Sequence, residues 1–215
     1  LASTIWFGVS SPVSGENIAD LITNHTFAAG RGSNIGLSTY TTNGDTWSYM
    51  TASSTGNISN GDGYEVKLGS AGDISFTGTM NVADVTKALT TTGNGFNLIG
   101  NPYTSYINSG TMLSTNTESI STETIWVWNQ STDSYDTKVT VDAFKLAPGQ
   151  GFFVKSDGSA GDIVFQESSQ SHGSDTFQNP IYPELYLNVS DNTYTKETKI
   201  YYRDAATNGF DNGFD

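Results

Sequence analysis

Gly61-Asp-Gly-Tyr-Glu-Val-Lys67, with Gly72-Asp-Ile-Ser-Phe76 close behind, returns as Gly149-Gln-Gly-Phe-Phe-Val-Lys155 and Gly161-Asp-Ile-Val-Phe165. Gly63 and Gly151 lie 88 positions apart, as do Tyr40 and Trp128, and Trp47 and Tyr135. Upstream, Trp6-Phe-Gly-Val-Ser-Ser-Pro-Val13 matches Phe96-Asn-Leu-Ile-Gly-Asn-Pro-Tyr103 at an offset of 90. Recurrence at a fixed spacing is the mark of a repeated structural unit. Within each copy apolar residues alternate: Tyr64, Val66 and Leu68, then Phe152 and Val154, then Ile163 and Phe165. Alternation with a period of two reads as strand. The repeated element therefore predicts a strand, a Gly-rich loop and a second strand.

Turn-forming clusters recur at the roughly 8–12 residue spacing of sandwiches and barrels, among them Asn43-Gly-Asp45, Asn60-Gly-Asp-Gly63 and Asp157-Gly-Ser-Ala-Gly161. Helical spacing is confined to Gly15–Asn24, with a weaker one-turn candidate at Val82–Leu89. Ile125 and Val127, interleaved with Trp126 and Trp128, read as a strand covered on both faces. The expected fold class is all-β: two tandem related β-rich repeats, residues 1–90 and 91–170, in a sandwich or jelly-roll-like architecture. Residues 171–215 read as a linker followed by a strand pair that opens a further β-unit.

Of 215 residues, 35% are hydrophobic, 12% aromatic and only 14% charged. So many aromatics with so few charges exclude a disordered chain. The 22 acidic and 9 basic residues leave a net charge of −13, which argues against a nucleic-acid partner or an anionic membrane surface. With no cysteine, disulfides, thiolate metal sites and cysteine nucleophiles are all excluded. No apolar run of membrane-spanning length occurs. Leu1-Ala-Ser-Thr4 has none of the features of a signal peptide, so the chain is expected to be an internal or mature piece of a longer protein.

Gly95-Phe-Asn-Leu-Ile-Gly-Asn-Pro-Tyr103 and Leu146-Ala-Pro-Gly-Gln-Gly-Phe-Phe-Val-Lys155 resemble a β-rich module of secreted flavobacterial (Bacteroidetes) surface proteins exported by the type IX secretion system. Ser10-Ser-Pro-Val-Ser14, Gly61-Asp-Gly-Tyr64 and the tail from Leu185 to Asp215 are similar to the surrounding parts of such modules. The resemblance implies an extracellular or cell-surface location and neighbouring domains in the same parent chain. It carries no catalytic residue across.

The chemistry-bearing motifs have bland readings beside sharp ones. Gly149-Gln-Gly151 opens a strand and lacks a following Lys-Ser or Lys-Thr, so it is no phosphate loop; a bulge or a tight strand start explains its glycines. His25 and His172 have no sequence neighbours that complete a triad. Asp204, Asn208, Asp211 and Asp215 offer the hard oxygen ligands that calcium takes, or else form a polar loop. Aromatic rings stack on sugar faces by dispersion and CH–π contact. Tyr40, Trp47, Trp128 and Tyr135 recur between copies, which favours a packing role for them. Trp126, Tyr103, Tyr106 and Tyr135 are the candidate ligand contacts. The expectation is a non-enzymatic module: a structural or adhesion segment first, a carbohydrate-binding module, with or without calcium, second. Its partners would be polysaccharide or another surface protein.

Overall fold

The computed structural model describes residues 1–2, 5–130, 132–159, 161–172, 184–190 and 195–201. They fall into two compact units, Leu1–Gln178 and Asn179–Asp215. The first half of the larger unit runs β1 (Phe7–Ser10), β2 (Val13–Ser14), α1 (Ile18–Asn24), β3 (Asn34–Thr41), β4 (Thr46–Thr51), β5 (Gly63–Val66), β6 (Thr79–Met80) and β7 (Val85–Ala88). The second half runs β8 (Phe96–Gly100), β9 (Tyr106–Asn108), α2 (Ser109–Ser114), β10 (Thr124–Asn129) and β11 (Ser134–Val139), then β12 (Lys145–Leu146), β13 (Gly151–Lys155), β14 (Asp162–Phe165) and β15 (Gln170–Ser171). In the smaller unit β16 (Glu184–Ser190) and β17 (Thr195–Tyr201) pair as an antiparallel hairpin, Glu184 opposite Tyr201.

The architecture is all-β. Its sheets are antiparallel, and none among the described residues closes into a barrel. Two four-stranded sheets dominate, ordered β1-β5-β3-β4 and β8-β13-β10-β11. Each order places the first strand of its half beside the Gly-Tyr-Glu-Val or Gly-Phe-Phe-Val strand. The long hairpin of that half, β3–β4 or β10–β11, lies on the far side.

Each sheet covers its own core with one face. The first core gathers Phe7, Val9, Leu37, Tyr64 and Val66 under Ile18 and Leu21 of α1. The second gathers Ile99, Ile125, Val127, Phe152 and Val154 with Met112 and Leu113 of α2. Asn17 caps α1 by accepting from Asp20 N at 2.8 Å, and Asn108 caps α2 by accepting from Gly110 N at 2.9 Å. Satisfying the free N–H groups at a helix start in this way is what lets such short helices form.

The halves meet reciprocally. Ser10 N donates to Gly149 O at 2.8 Å, and Gly100 N donates to Gly61 O at 3.0 Å. Val9 bridges Gln150 and Ile99 bridges Asp62. Each contact has its counterpart at the sequence offsets that relate the halves. Bare backbone is what allows the approach: a Cβ on Gly63 would sit 2.6 Å from Leu98 Cγ, and one on Gly151 would sit 2.7 Å from Val9 N. Gly61 and Gly149 both hold positive φ, 79° and 66°, a region that costs glycine little.

Three local expectations are corrected. The repeated element does not close into a hairpin, because β14 pairs with β7 rather than β13. In the first half residues 72–76 form no strand, and Ile74 and Phe76 pack on the first core from an irregular segment. Val82–Leu89 carries no helix; β7 lies there, held by a partner more than seventy residues downstream. The glycine pairs are sites of contact between the halves, beyond the tight strand starts expected of them.

Candidate functional site

Strand alternation sends one face of each sheet to its core and leaves the other for a second role. On the first sheet the second face carries Gly8 opposite Glu65, Glu65 opposite Ser38, Ser38 opposite Tyr49, and Tyr40 opposite Trp47. On the second sheet it carries Leu98 opposite Phe153, Phe153 opposite Trp126, and Trp128 opposite Tyr135. Directly opposed residues share a face of the sheet, so sequence and register together fix both surfaces.

Rings from both halves converge on Phe153, which is 6% exposed. Tyr40 meets it at 4.9 Å, Tyr135 at 5.5 Å, Trp47 at 6.1 Å and Phe96 at 6.4 Å, all edge-on. Edge-to-face pairs at these separations are favourable beyond the area they bury. The result is an aromatic cleft whose walls come from both sheets.

Two pockets open along it, and Trp47 and Tyr135 line both. The larger, about 340 Å³, adds Tyr40, Phe96 and Trp126, with Asp45 and Asn94 as its polar edge. The Tyr40 hydroxyl donates to Asp45 Oδ1 and accepts from Asn94 Nδ2. Burial raises the pKa of that hydroxyl, with the Asp45 hydrogen bond adding to the effect. The smaller pocket, about 280 Å³, is completed by Trp6, Ser38, Tyr49, Glu65 and Trp128.

Glu65 is the anomaly. Its side chain is 6% exposed, and its Oε2 has no hydrogen-bond partner. Loss of water around the carboxylate pushes its pKa up to about 8. The Tyr135 hydroxyl is raised too, chiefly by burial and then by the charges of Glu65 and Tyr40.

Two of the four aromatic candidates lie in the cleft: Trp126, and Tyr135 at 41% exposure. Tyr103 does not. It is fully buried in the second core, its hydroxyl donates to Phe165 O at 2.6 Å, and burial pushes that hydroxyl up to about 12. Tyr106 sits half-buried on β9, in the separate β12-β9-β15 sheet, and lines neither pocket. Asp204, Asn208, Asp211 and Asp215 lie outside the described residues. Among the described residues no three His, Asp or Glu side chains gather as a metal site, and no helix is long and apolar enough to cross a membrane.

Tyr40, Trp47 and Trp128, for which recurrence predicts packing, are cleft residues, and Glu65 and Phe153 join them from positions that no motif marks. The signal for that last pair was present: at the offset of 88, Glu65 falls on Phe153. Comparison with known proteins gives no match to a family model, to a curated protein or to a solved structure.

Proposed function

We propose that this chain is a non-catalytic binding module of an exported or cell-surface protein, and that its aromatic cleft takes a polysaccharide. One observation carries the reading: four tryptophans and three tyrosines line a groove instead of filling the cores. Ring faces match the apolar faces of sugars, and the Asp45–Tyr40–Asn94 edge supplies the few oriented polar groups that small-ligand sites use for specificity. A purely structural spacer has no use for such a surface, so adhesion through a glycan is preferred over an inert scaffold. A non-catalytic role is favoured because the carboxylates of the cleft do not form a pair: Asp45 is held by Tyr40 in one pocket, and Glu65 belongs to the other. The resemblance to exported flavobacterial modules supports the setting, with neighbouring domains of the same parent chain as further partners.

The test is a pull-down of the intact chain on a panel of insoluble polysaccharides, once with calcium and once with EDTA. Retention on at least one polysaccharide, lost in Trp126→Ala, is the expected result. No retention of the wild-type chain on any of them sinks the reading. Loss in EDTA alone shows a calcium requirement, for which the Asp204–Asp215 tail is the candidate.

A further inference from the structure

We propose that the Glu65 pocket is a site for an organic quaternary ammonium cation, lined by tryptophan and tyrosine rings and neutralised by the Glu65 carboxylate. The inference goes beyond the glycan reading and shares with it Trp47 and Tyr135, the rings that line both pockets.

The pocket exists because the two halves differ at one place. Phe153 is flanked across its strands by Leu98 and Trp126, which fill the second sheet's outer face. Glu65, its counterpart, is flanked by Gly8 and Ser38. On the Gly8 side the backbone of Gly151 closes in, 3.1 Å from where a Cβ on Gly8 would lie, so the recess opens on the other side, where small Ser38 stands in place of a ring. Trp6, Tyr49 and Trp128 line the recess, a half-open pocket of about 280 Å³, near the lower end of the range for small-molecule sites.

The chemistry of that recess selects its occupant. A buried carboxylate without a partner is costly, and it neutralises or finds a cation. Neither ion pair among the described residues involves Glu65; they join Lys87 to Asp62 and Lys138 to Asp136. Lys67, two residues further along, lines the adjoining pocket with Arg31, Trp6 and Tyr49. A cation from outside would restore the missing charge, and a chain of net charge −13 draws cations toward itself. Aromatic faces stabilise a cation most when water is excluded, and quaternary ammonium groups are the ligands such cages suit. An unsubstituted ammonium brings three N–H donors that all need acceptors, whereas Glu65 is the one carboxylate lining this pocket. A quaternary ammonium brings none. A neutral sugar leaves Glu65 uncompensated.

Facing Glu65 are Gly8 of β1, Ser38 of β3, Tyr49 of β4 and, from the second sheet, Tyr135. Lys67 continues its own strand. Cation binding and proton loss at Glu65 are therefore linked, and affinity must rise with pH up to the pKa of the carboxyl group in the free protein.

The experiment is a tryptophan-fluorescence titration of the intact chain with choline chloride at constant ionic strength, at pH 6 and at pH 8. Saturable binding is expected, at least tenfold tighter at pH 8. Glu65→Gln, which keeps the shape of a neutral carboxyl, should weaken it at least tenfold at pH 8 while the near-ultraviolet circular dichroism stays unchanged. The uncharged isostere 3,3-dimethylbutanol should compete at least tenfold less well than choline. Absence of saturation, equal affinity in Glu65→Gln, or equal competition by the neutral alcohol overturns the proposal. Phosphatidylcholine vesicles separate the sources: retention on them alongside choline binding assigns a lipid headgroup, and choline binding without it assigns a soluble compound. Polysaccharide retention by Glu65→Gln is read in parallel, so that the two readings can fail separately.

Discussion

Glu65 and Phe153 stand 88 residues apart and occupy the same place in two sheets of one strand order, one a carboxylate with a free oxygen, the other the hub of an aromatic cluster. Both face the cleft, and both sit on the strand next to the one that begins their half. The sheets repeat a framework, and this substitution within it makes a wall on one side and a recess on the other.

Glu65 should make stability depend on pH in an unusual sense. Its carboxyl ionises near 4.5 when exposed and near 8 when folded, so between those values the folded chain holds the extra proton. The contribution is fully present below about pH 4.5 and is lost as pH rises toward 8. The slope is at most roughly 1.4 kcal/mol per pH unit. Urea midpoints of wild type and Glu65→Gln, taken from pH 5 to 8.5, should diverge in the variant's favour as pH rises. A constant difference would show that the carboxyl is not perturbed.

The glycine contacts between the halves predict a contrast among alanine variants. Gly63→Ala puts a methyl 2.8 Å from Ile99 O, and Gly151→Ala puts one 2.7 Å from Gly8 C. Both clash with backbone that has no rotamer to change, and each should cost about 1–3 kcal/mol or more. Gly72→Ala, with nothing within 4 Å of the added methyl, should leave the urea midpoint unchanged. Equal stability of all three variants would remove the close approach from the account.

Asn101 is a latch rather than a ligand contact. Fully buried, it donates to Ser105 O at 2.8 Å, Ala147 O at 3.0 Å and Leu146 O at 3.2 Å, and accepts from Tyr103 N at 3.0 Å. Asn101→Ala strands several buried backbone groups, each worth about 1–3 kcal/mol. Thermal unfolding should show a large loss, and polysaccharide retention measured well below the new midpoint should be normal.

The fold class could be read from alternation and turn rhythm. Which face of a strand meets the core could not. Trp128 and Ile125 lie on one strand with apolar residues on both sides, so periodicity alone leaves core and cleft interchangeable. Recurrence was also a poor guide to burial: Tyr40 and Trp128 recur and line the cleft, while Tyr103 has no aromatic counterpart and is buried. The pairing of β7 with β14 depends on partners too distant for any local pattern to reveal. Glu65 was legible in principle, as the one charged residue in a strand whose copy reads Phe-Phe-Val.

The claim that this cleft is a binding site is tested most directly by measuring affinity for the retaining polysaccharide in wild type, Trp126→Ala and Tyr135→Ala, with urea midpoints taken alongside. Trp126 and Tyr135 sit at the cleft rather than in either core, so the account predicts at least a tenfold loss of affinity in each variant, with the midpoints shifted by no more than about 1 kcal/mol in stability. Affinity unchanged in both variants, or lost only in step with unfolding, would contradict it.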